Sequence, residues 1–528
     1  MGRGRPEPGG FALSNRVAVV GEAVQLTRES ADTKPGGRAF RVTVGMILAG
    51  ALILHVSASL LLRGLYGDGA AILFRMLRSD PFVLNEPARW TAHLVGMVRS
   101  GPFVLDESAR WATQILQQAP TVLSLKLGMI NLIGLATIYS ATVELLPLAF
   151  VAGSYLVLPK GEKAFFIFPL VFYLAGAEAA AFEPLAEGST VTAYFWLLLF
   201  AIVFRAKNPA WQMVTLAGAI PAVQSHEVMV FLAPVLAFAA FRRAGAEGPN
   251  RSRLVFLLMA AWFGIVAVAQ LDFTLFHSKQ ENRASFIAST LAMNFVASPW
   301  GVNVPTILGI LAIVITAVLS WLGGPAARAW QRRLSWILVC AIAVTCLAAV
   351  LGTTQTSYLF QPTLQAAARN YGAFISLPLA VIFLACHSRA EVLVSWTRPA
   401  VAATLACLAL GQFGWHAVGL GYWAEFIDKF GEILVSHRGM VSVSEAQMAG
   451  LKPMSWTWTY PSLSIVLSPN GQVTSMIVPP KDVKWQPFDP ANPNELPQSR
   501  RFDLSAYRET LASNSGARGD HSHDATPR

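Results

Sequence analysis

"TVGMILAGALILHVSASLLLR", residues 43–63, is 21 residues of mostly apolar side chains closed by an arginine. A membrane-crossing helix needs roughly 20 such residues, so this stretch reads as a first span and sets the reading of the rest. Ten further runs qualify: 127–158, 164–181, 189–205, 210–223, 227–241, 252–271, 302–323, 334–352, 372–387 and 399–419. Composition agrees, with 54% hydrophobic and only 13% charged residues, where a soluble domain carries about 25% charge. The expected fold is an all-α polytopic membrane protein of about eleven transmembrane helices.

Charge between the runs orients them. Every second loop is basic: Lys160 and Lys163; Arg205 and Lys207; Arg242, Arg243, Arg251 and Arg253; Arg328, Arg332 and Arg333; Arg389 and Arg398. The alternate loops are acidic or mixed: Glu183 and Glu187, then Asp272 to Arg283, then 353–371 with Arg369. Lys and Arg collect on the cytoplasmic side of membrane proteins. The amino end is therefore expected inside and the carboxyl end outside the plasma (inner) membrane. The net charge of +10 is read as topology, with membrane lipid as partner and no nucleic acid.

Four regions follow. Residues 1–42 read as a disordered basic cytosolic tail, without the apolar core of a signal peptide. Residues 43–420 form the bundle. Residues 421–486 form a small extracytoplasmic α/β module: "EFIDKFGEILVSH" suits an amphipathic helix, and β-formers flank the Asn-Gly hairpin signal in "SPNGQ". From 487 to 528 Pro, Asn, Ser, Arg and His favour disorder.

The longest outer loop, 64–126, contains a sentence written twice. "RSDPFVLNEPARW" (78–90) returns as "RSGPFVLDESARW" (99–111), ten of thirteen positions identical at a shift of 21 residues. The full units run 78–95 and 99–116. Asn85 and Asp106 are good helix N-caps. The helices that follow put Trp90, Leu94 and Met97, or Trp111, Ile115 and Ala119, on one face, with Arg89 or Arg110 beside the Trp. Trp and Arg on a short helix suit the membrane–water boundary, where guanidinium meets phosphate. One of the two copies reads equally as a duplication that a loop tolerates.

Ionisable residues elsewhere supply candidates. Asp68, in "LYGDGAAIL", stands just after the first span; it reads as a general base or metal ligand, or as a Gly-Asp-Gly turn. His226 and Glu227, in "QSHEVMVFLAP", sit between two short spans, either as a site pair or as the cap of the second half-helix. Arg369, followed by Tyr371, is placed to meet a phosphate or to snorkel to headgroups. Asp272, His277, Lys279 and Arg283 read as solvated loop charges. Charges are expected to gather at the outer ends of the spans, with few in mid-span.

A carboxylate after the first span, a long outer loop of interfacial helices, many spans and an outer carboxyl-terminal module resemble the GT-C-fold glycosyltransferases that use polyprenyl-phosphate sugars. The likeness covers the topology of 43–420 and is residue-specific only around Asp68 and its loop. It implies an inverting transfer in which Asp68 activates the acceptor, while basic groups or a divalent metal hold the leaving lipid phosphate. The second acid of many members has no clear counterpart here: Asp80, Glu86, Asp106 and Glu107 compete, so metal dependence stays open. "QSHEVMVFLAP" is weakly similar to the His-Lys-Glu stretch of dolichol-dependent mannosyltransferases, with the Lys absent and Phe231 and Pro234 suitably placed.

Other chemistries lack their motifs. There is no phosphate-binding Gly-rich loop, no His-Glu-x-x-His and no Gly-x-Ser-x-Gly. Cys340, Cys346, Cys386 and Cys407 lie in apolar runs without metal spacing. The leading expectation is a transferase moving a sugar from a polyprenyl-phosphate carrier to an envelope acceptor, with Asp68, His226 and Glu227 catalytic and Arg89, Arg110, Arg369 and Tyr371 binding lipid phosphate. The alternatives are a transporter or flippase of a lipid-linked substrate, or a non-catalytic envelope assembly protein.

Overall fold

The computed structural model describes residues 35–78, 110–178, 186–205, 208–247, 251–273, 362–387, 399–480 except 453, and 488–519, with scattered positions between 276 and 344. It is an all-α membrane protein. Among the described residues six helices are long and apolar enough to cross a bilayer: Gly37–Leu60, Leu132–Val157, Glu187–Phe204, Met229–Ala246, Arg251–Asp272 and Val401–Ser436. Their buried share runs from 33% to 67%, so each keeps an apolar flank for lipid. The predicted spans 302–323 and 334–352 lie almost wholly outside the described residues.

In chain order the helices are α1 (Pro35–Leu60), α2 (Asp68–Arg78), α3 (Trp111–Lys126), α4 (Leu132–Val157), α5 (Ile167–Phe172), α6 (Ala186–Phe204), α7 (Pro209–Ala219), α8 (Met229–Ala246), α9 (Arg251–Asp272), α10 (Pro362–Cys386) and α11 (Pro399–Ser436). Local chemistry starts several of them. Asn131 caps α4 by accepting the Gly134 N–H at 3.2 Å, and Asn208 caps α7 through Ala210 N–H at 2.9 Å, with Pro209 in the first turn. Both satisfy amides that a helix start leaves open.

Two apolar cores organise the molecule. One fills the bundle around Phe168, Trp196, Phe200 and Phe383. The other lies at the end of the bundle where α1 stops, the Leu60 end, and joins α2 and α4 to the second half of α11 and the carboxyl-terminal residues. Arg63 is completely buried there, its guanidinium 4.4 Å from the Tyr66 ring centre and 4.9 Å from that of Trp423.

Several sequence expectations change. The bundle begins at Pro35, inside the segment assigned to a tail. The last span and the amphipathic "EFIDKFGEILVSH" are one 38-residue helix, α11. Beyond it, β1 (Gly439–Ser442) pairs in parallel with β2 (Ser475–Val478), and α12 (Val443–Met448) and α13 (Tyr460–Leu467) lie between them. No hairpin forms at "SPNGQ". Residues 460–466 are buried on all sides, so their mixed pattern is that of a core helix rather than a half-exposed strand. Asn470 and Gly471 do adopt left-handed backbone, but to turn the chain out of α13. The segment 487–528, expected to be disordered, carries α14 (Ser505–Gly519) and buries Phe488, Phe502 and Tyr507 in the second core.

Candidate functional site

The up-and-down course of the chain puts the starts of α4, α6 and α8 at the Leu60 end, and two polar clusters form there. The first is built on α3, whose first turns face inward with polar side chains. Its buried face is Thr113, Gln114, Gln117, Gln118 and Thr121, continued by Val122 and Leu125 in the second core, while Leu116 and Leu123 are exposed. Trp111, Ile115 and Ala119, the expected apolar stripe, are only half-buried. Its amide-bearing turns pack against a polar neighbour, with Leu116 and Leu123 turned away toward lipid.

That neighbour is the junction of α6 and α8. Arg110, at the start of α3, donates from Nε to both oxygens of Glu227 at 3.0 and 3.1 Å, and from Nη2 to Oε1 at 2.8 Å. Its Nη1 reaches Glu187 at 3.2 Å. Gln114 Nε2 donates to the other Glu187 oxygen at 3.1 Å, and Thr113 Oγ1 to the Ser225 carbonyl at 2.7 Å. His226 is buried; its Nδ1 lies 3.2 Å from the Val228 N–H and 3.3 Å from Glu227 Oε2. Burial works against the Glu227 charge, but the His226 imidazole and the Arg110 guanidinium hold its carboxyl well below the ordinary glutamate range.

Three predicted residues, Arg110, His226 and Glu227, thus come together although 115 or more positions separate the loop from the hinge. The structure changes one role. Arg110 was expected to grip a lipid phosphate, yet its three nitrogens face two carboxylates, and a phosphate would have to displace them. Arg110 acts on Glu227 and Glu187. Asp68 opens α2 and is half-buried; an acid in a helix's first turn is stabilised by the helix dipole. The preceding Gly67 has φ of +54° and donates its N–H to Ser455 Oγ at 3.0 Å; a β-carbon there would lie 3.6 Å from the Trp456 ring. Arg369 and Tyr371 stand on the first turns of α10 and not in a loop. Arg89 lies outside the described residues.

The second cluster lies inside the bundle, toward the Leu60 end, and consists of ionisable residues other than the candidates read from the sequence. His55 of α1 contacts Glu144 of α4 through Nδ1 at 2.8 Å and Glu178 through Nε2 at 2.7 Å. Glu178 Oε2 contacts Nδ1 of His416, on α11, at 2.9 Å. Tyr173 donates its hydroxyl to Glu178 Oε1. All five are buried. His55 is five residues before Leu60, about 7.5 Å along the axis, so the cluster sits just inside the bundle.

A π turn over Tyr173–Ala177 makes this geometry. On a regular α-helix residues five apart diverge; one wide turn brings Tyr173 and Glu178 onto the same side. Gly176, within the turn, lies against Gly372 of α10: a β-carbon on Gly176 would stand 3.0 Å from the Gly372 α-carbon. The helix carrying Arg369 and Tyr371 therefore crosses the turn backbone to backbone. One signal was available in the sequence: the predicted spans 43–63, 127–158, 164–181 and 399–419 each carry a His or Glu, and an ionisable residue inside a span marks a site.

No family model, curated protein or solved structure matches this chain.

Proposed function

We propose that this chain is a membrane-embedded glycosyltransferase-like enzyme that moves a sugar from a polyprenyl-phosphate carrier to an envelope acceptor. In this reading the Leu60 end faces outward from the inner membrane, with the amino end cytoplasmic and the residues beyond α11 forming an extracytoplasmic module. The observation that carries it is the polar start of α3. A loop segment that brings Arg110 onto Glu227 and Glu187, and Gln114 onto Glu187, makes a polar patch at the end of a lipid-embedded bundle. A sugar–phosphate headgroup, with its prenyl chain left in lipid, is a ligand that suits a patch at headgroup depth.

The roles follow from charge. Asp68 is the acceptor's base. Arg110 is a positioning residue that sets the orientation of Glu227, and Glu227, Glu187 and His226 offer acceptors and a donor to sugar hydroxyls. Phosphate falls to Arg89 or Arg369, with Tyr371 alongside.

Mass spectrometry of lipid extracted from the detergent-purified protein tests this reading. A co-purifying prenyl phosphate is expected, and Asp68→Asn should retain the lipid while losing transfer. An extract of ordinary phospholipid alone, with full turnover by Asp68→Asn, would remove it. A second reading, carriage of a lipid-linked substrate across the membrane, is favoured by the His55–Glu178 cluster, because transporters place ionisable groups within spans. Movement of labelled prenyl phosphate across sealed proteoliposomes without any acceptor would select it.

A further inference from the structure

We propose that His55, Glu178 and His416 bind one divalent first-row metal ion, Zn²⁺ foremost, inside the bundle. The three offer ligand atoms within 4.8 Å of one another from three separate segments of the chain. The argument begins with charge. Glu144 and Glu178 are 3% and 0% exposed, and two carboxylates in a low-dielectric interior need two positive charges nearby. Protons on the imidazoles, a proton on a carboxyl, or one divalent cation can supply the balance.

The geometry favours the cation. The His55 and His416 rings lie 5.2 Å apart, centre to centre, and two buried imidazoliums at that separation repel strongly. A metal leaves both rings neutral and turns a nitrogen lone pair of each toward the ion. It also accounts for Glu144, whose Oε2 faces His55 Nδ1 at 2.8 Å. A carboxylate that takes the far N–H of a metal-bound imidazole, fixing its tautomer and orientation, is the usual partner of such a ligand. Among the described residues His416 Nε2 and Glu144 Oε1 have no hydrogen-bond partner.

The fit is close. Tetrahedral bonds of about 2.0–2.1 Å set neighbouring ligand atoms about 3.3 Å apart. His55 Nε2 to Glu178 Oε1 and His416 Nδ1 to Glu178 Oε2, at 2.7 and 2.9 Å, need to open by about half an ångström. Tyr173 Oη, 2.8 Å from His55 Nε2, stands by as a fourth donor. Two imidazoles and a carboxylate suit zinc and its first-row neighbours, whereas Ca²⁺ and Mg²⁺ take oxygen ligands. Bound there, the ion would tie α1, the π turn and α11 together. This site involves none of the residues that carry the proposed transfer, so its fate is independent of that reading.

The experiment uses the full chain purified through a peptide tag, without metal-affinity resin, from zinc-supplemented cells. Elemental analysis should find one zinc per chain, chelation by dipicolinate should lower the unfolding temperature, and ZnCl₂ but not MgCl₂ should restore it. His416→Ala should lose the metal and His416→Cys should regain it, since a thiolate is itself a zinc ligand. A metal-free protein whose unfolding temperature ignores both chelator and added zinc would overturn the site, as would zinc retained in full by His416→Ala. If His416→Ala does not fold, the wild-type chelation series and His416→Cys still decide the matter.

Discussion

Arg110 and Glu227 lie 117 residues apart in sequence and side by side in space, the guanidinium Nε spanning both carboxylate oxygens at 3.0 and 3.1 Å. The pair fastens the first loop to the hinge between α7 and α8. With side chains 13% and 21% exposed, it falls between surface pairs, worth little, and buried pairs, whose rupture strands a charge. A double-mutant cycle of Arg110→Ala and Glu227→Ala should give a coupling of about 1–2 kcal/mol in the unfolding of detergent-purified protein. Additive losses would mean that the contact contributes nothing beyond its separate side chains.

Acid should undo the same contact, and the sign is fixed. The folded Glu227 carboxyl releases its proton at lower pH than it does in the unfolded chain. Above the unfolded glutamate value, about 4.3, the resulting stabilisation is fully present. As pH falls below that value the unfolded chain takes up the proton first, and stability declines toward the lower folded value. The gap in unfolding temperature between the wild type and Glu227→Gln should therefore be constant from pH 7 to about 5 and narrow below about 4.3. A gap unchanged down to pH 3.5 would contradict it.

Gly64 and Gly45 make a controlled comparison. A β-carbon on Gly64 would meet the Ser140 α-carbon at 2.6 Å, a backbone atom that cannot swing aside, while one on Gly45 meets nothing within 4 Å. Gly64→Ala should push the turn that follows α1 (Arg63–Leu65) away from α4 at a cost of about 1–3 kcal/mol. Gly45→Ala, exposed on α1, should be neutral or stabilise by up to about 1 kcal/mol through helix propensity. Equal unfolding temperatures for the two variants would show that the contact is slack.

The sequence reveals this architecture where a single physical signal dominates. Apolar run length located α4, α6, α8 and α9 to within a few residues, because burial in lipid leaves little else for such runs to do. The meeting of Arg110 with His226 and Glu227 was legible as two separate patches, but their contact was not, since nothing local links a loop to a hinge so far along the chain. Glu187 was visible only as a loop acid until Arg110 and Gln114 reached it. His55 and His416 were hidden by their surroundings: one polar residue in twenty apolar ones hardly alters a hydropathy profile, and the π turn that aims Glu178 has no sequence period of its own. The residues after 487 misled for a related reason. Their composition is that of a disordered tail, and their order comes from a core supplied by other segments.

That borrowed order can be removed. Phe488 and Phe502 pack against Phe74 of α2 with ring centres 5.2 and 6.1 Å apart. Ser499 Oγ and Arg501 Nη1 both donate to the Leu77 carbonyl, at 3.0 and 2.8 Å, and so satisfy an acceptor that the end of a helix leaves open. The strap is held in turn by Val473 N–H to the Asp503 carbonyl and Asp503 N–H to the Gly471 carbonyl, each at 2.8 Å. Ending the chain at residue 486 should therefore loosen α2, whose first residue is Asp68, and hydrogen exchange should quicken over residues 68–78 while α8 and α9 keep their protection. Phe502→Ala alone should cost about 3 kcal/mol. A truncated protein with unchanged exchange in α2 would mean that the strap rests on the second core without supporting it.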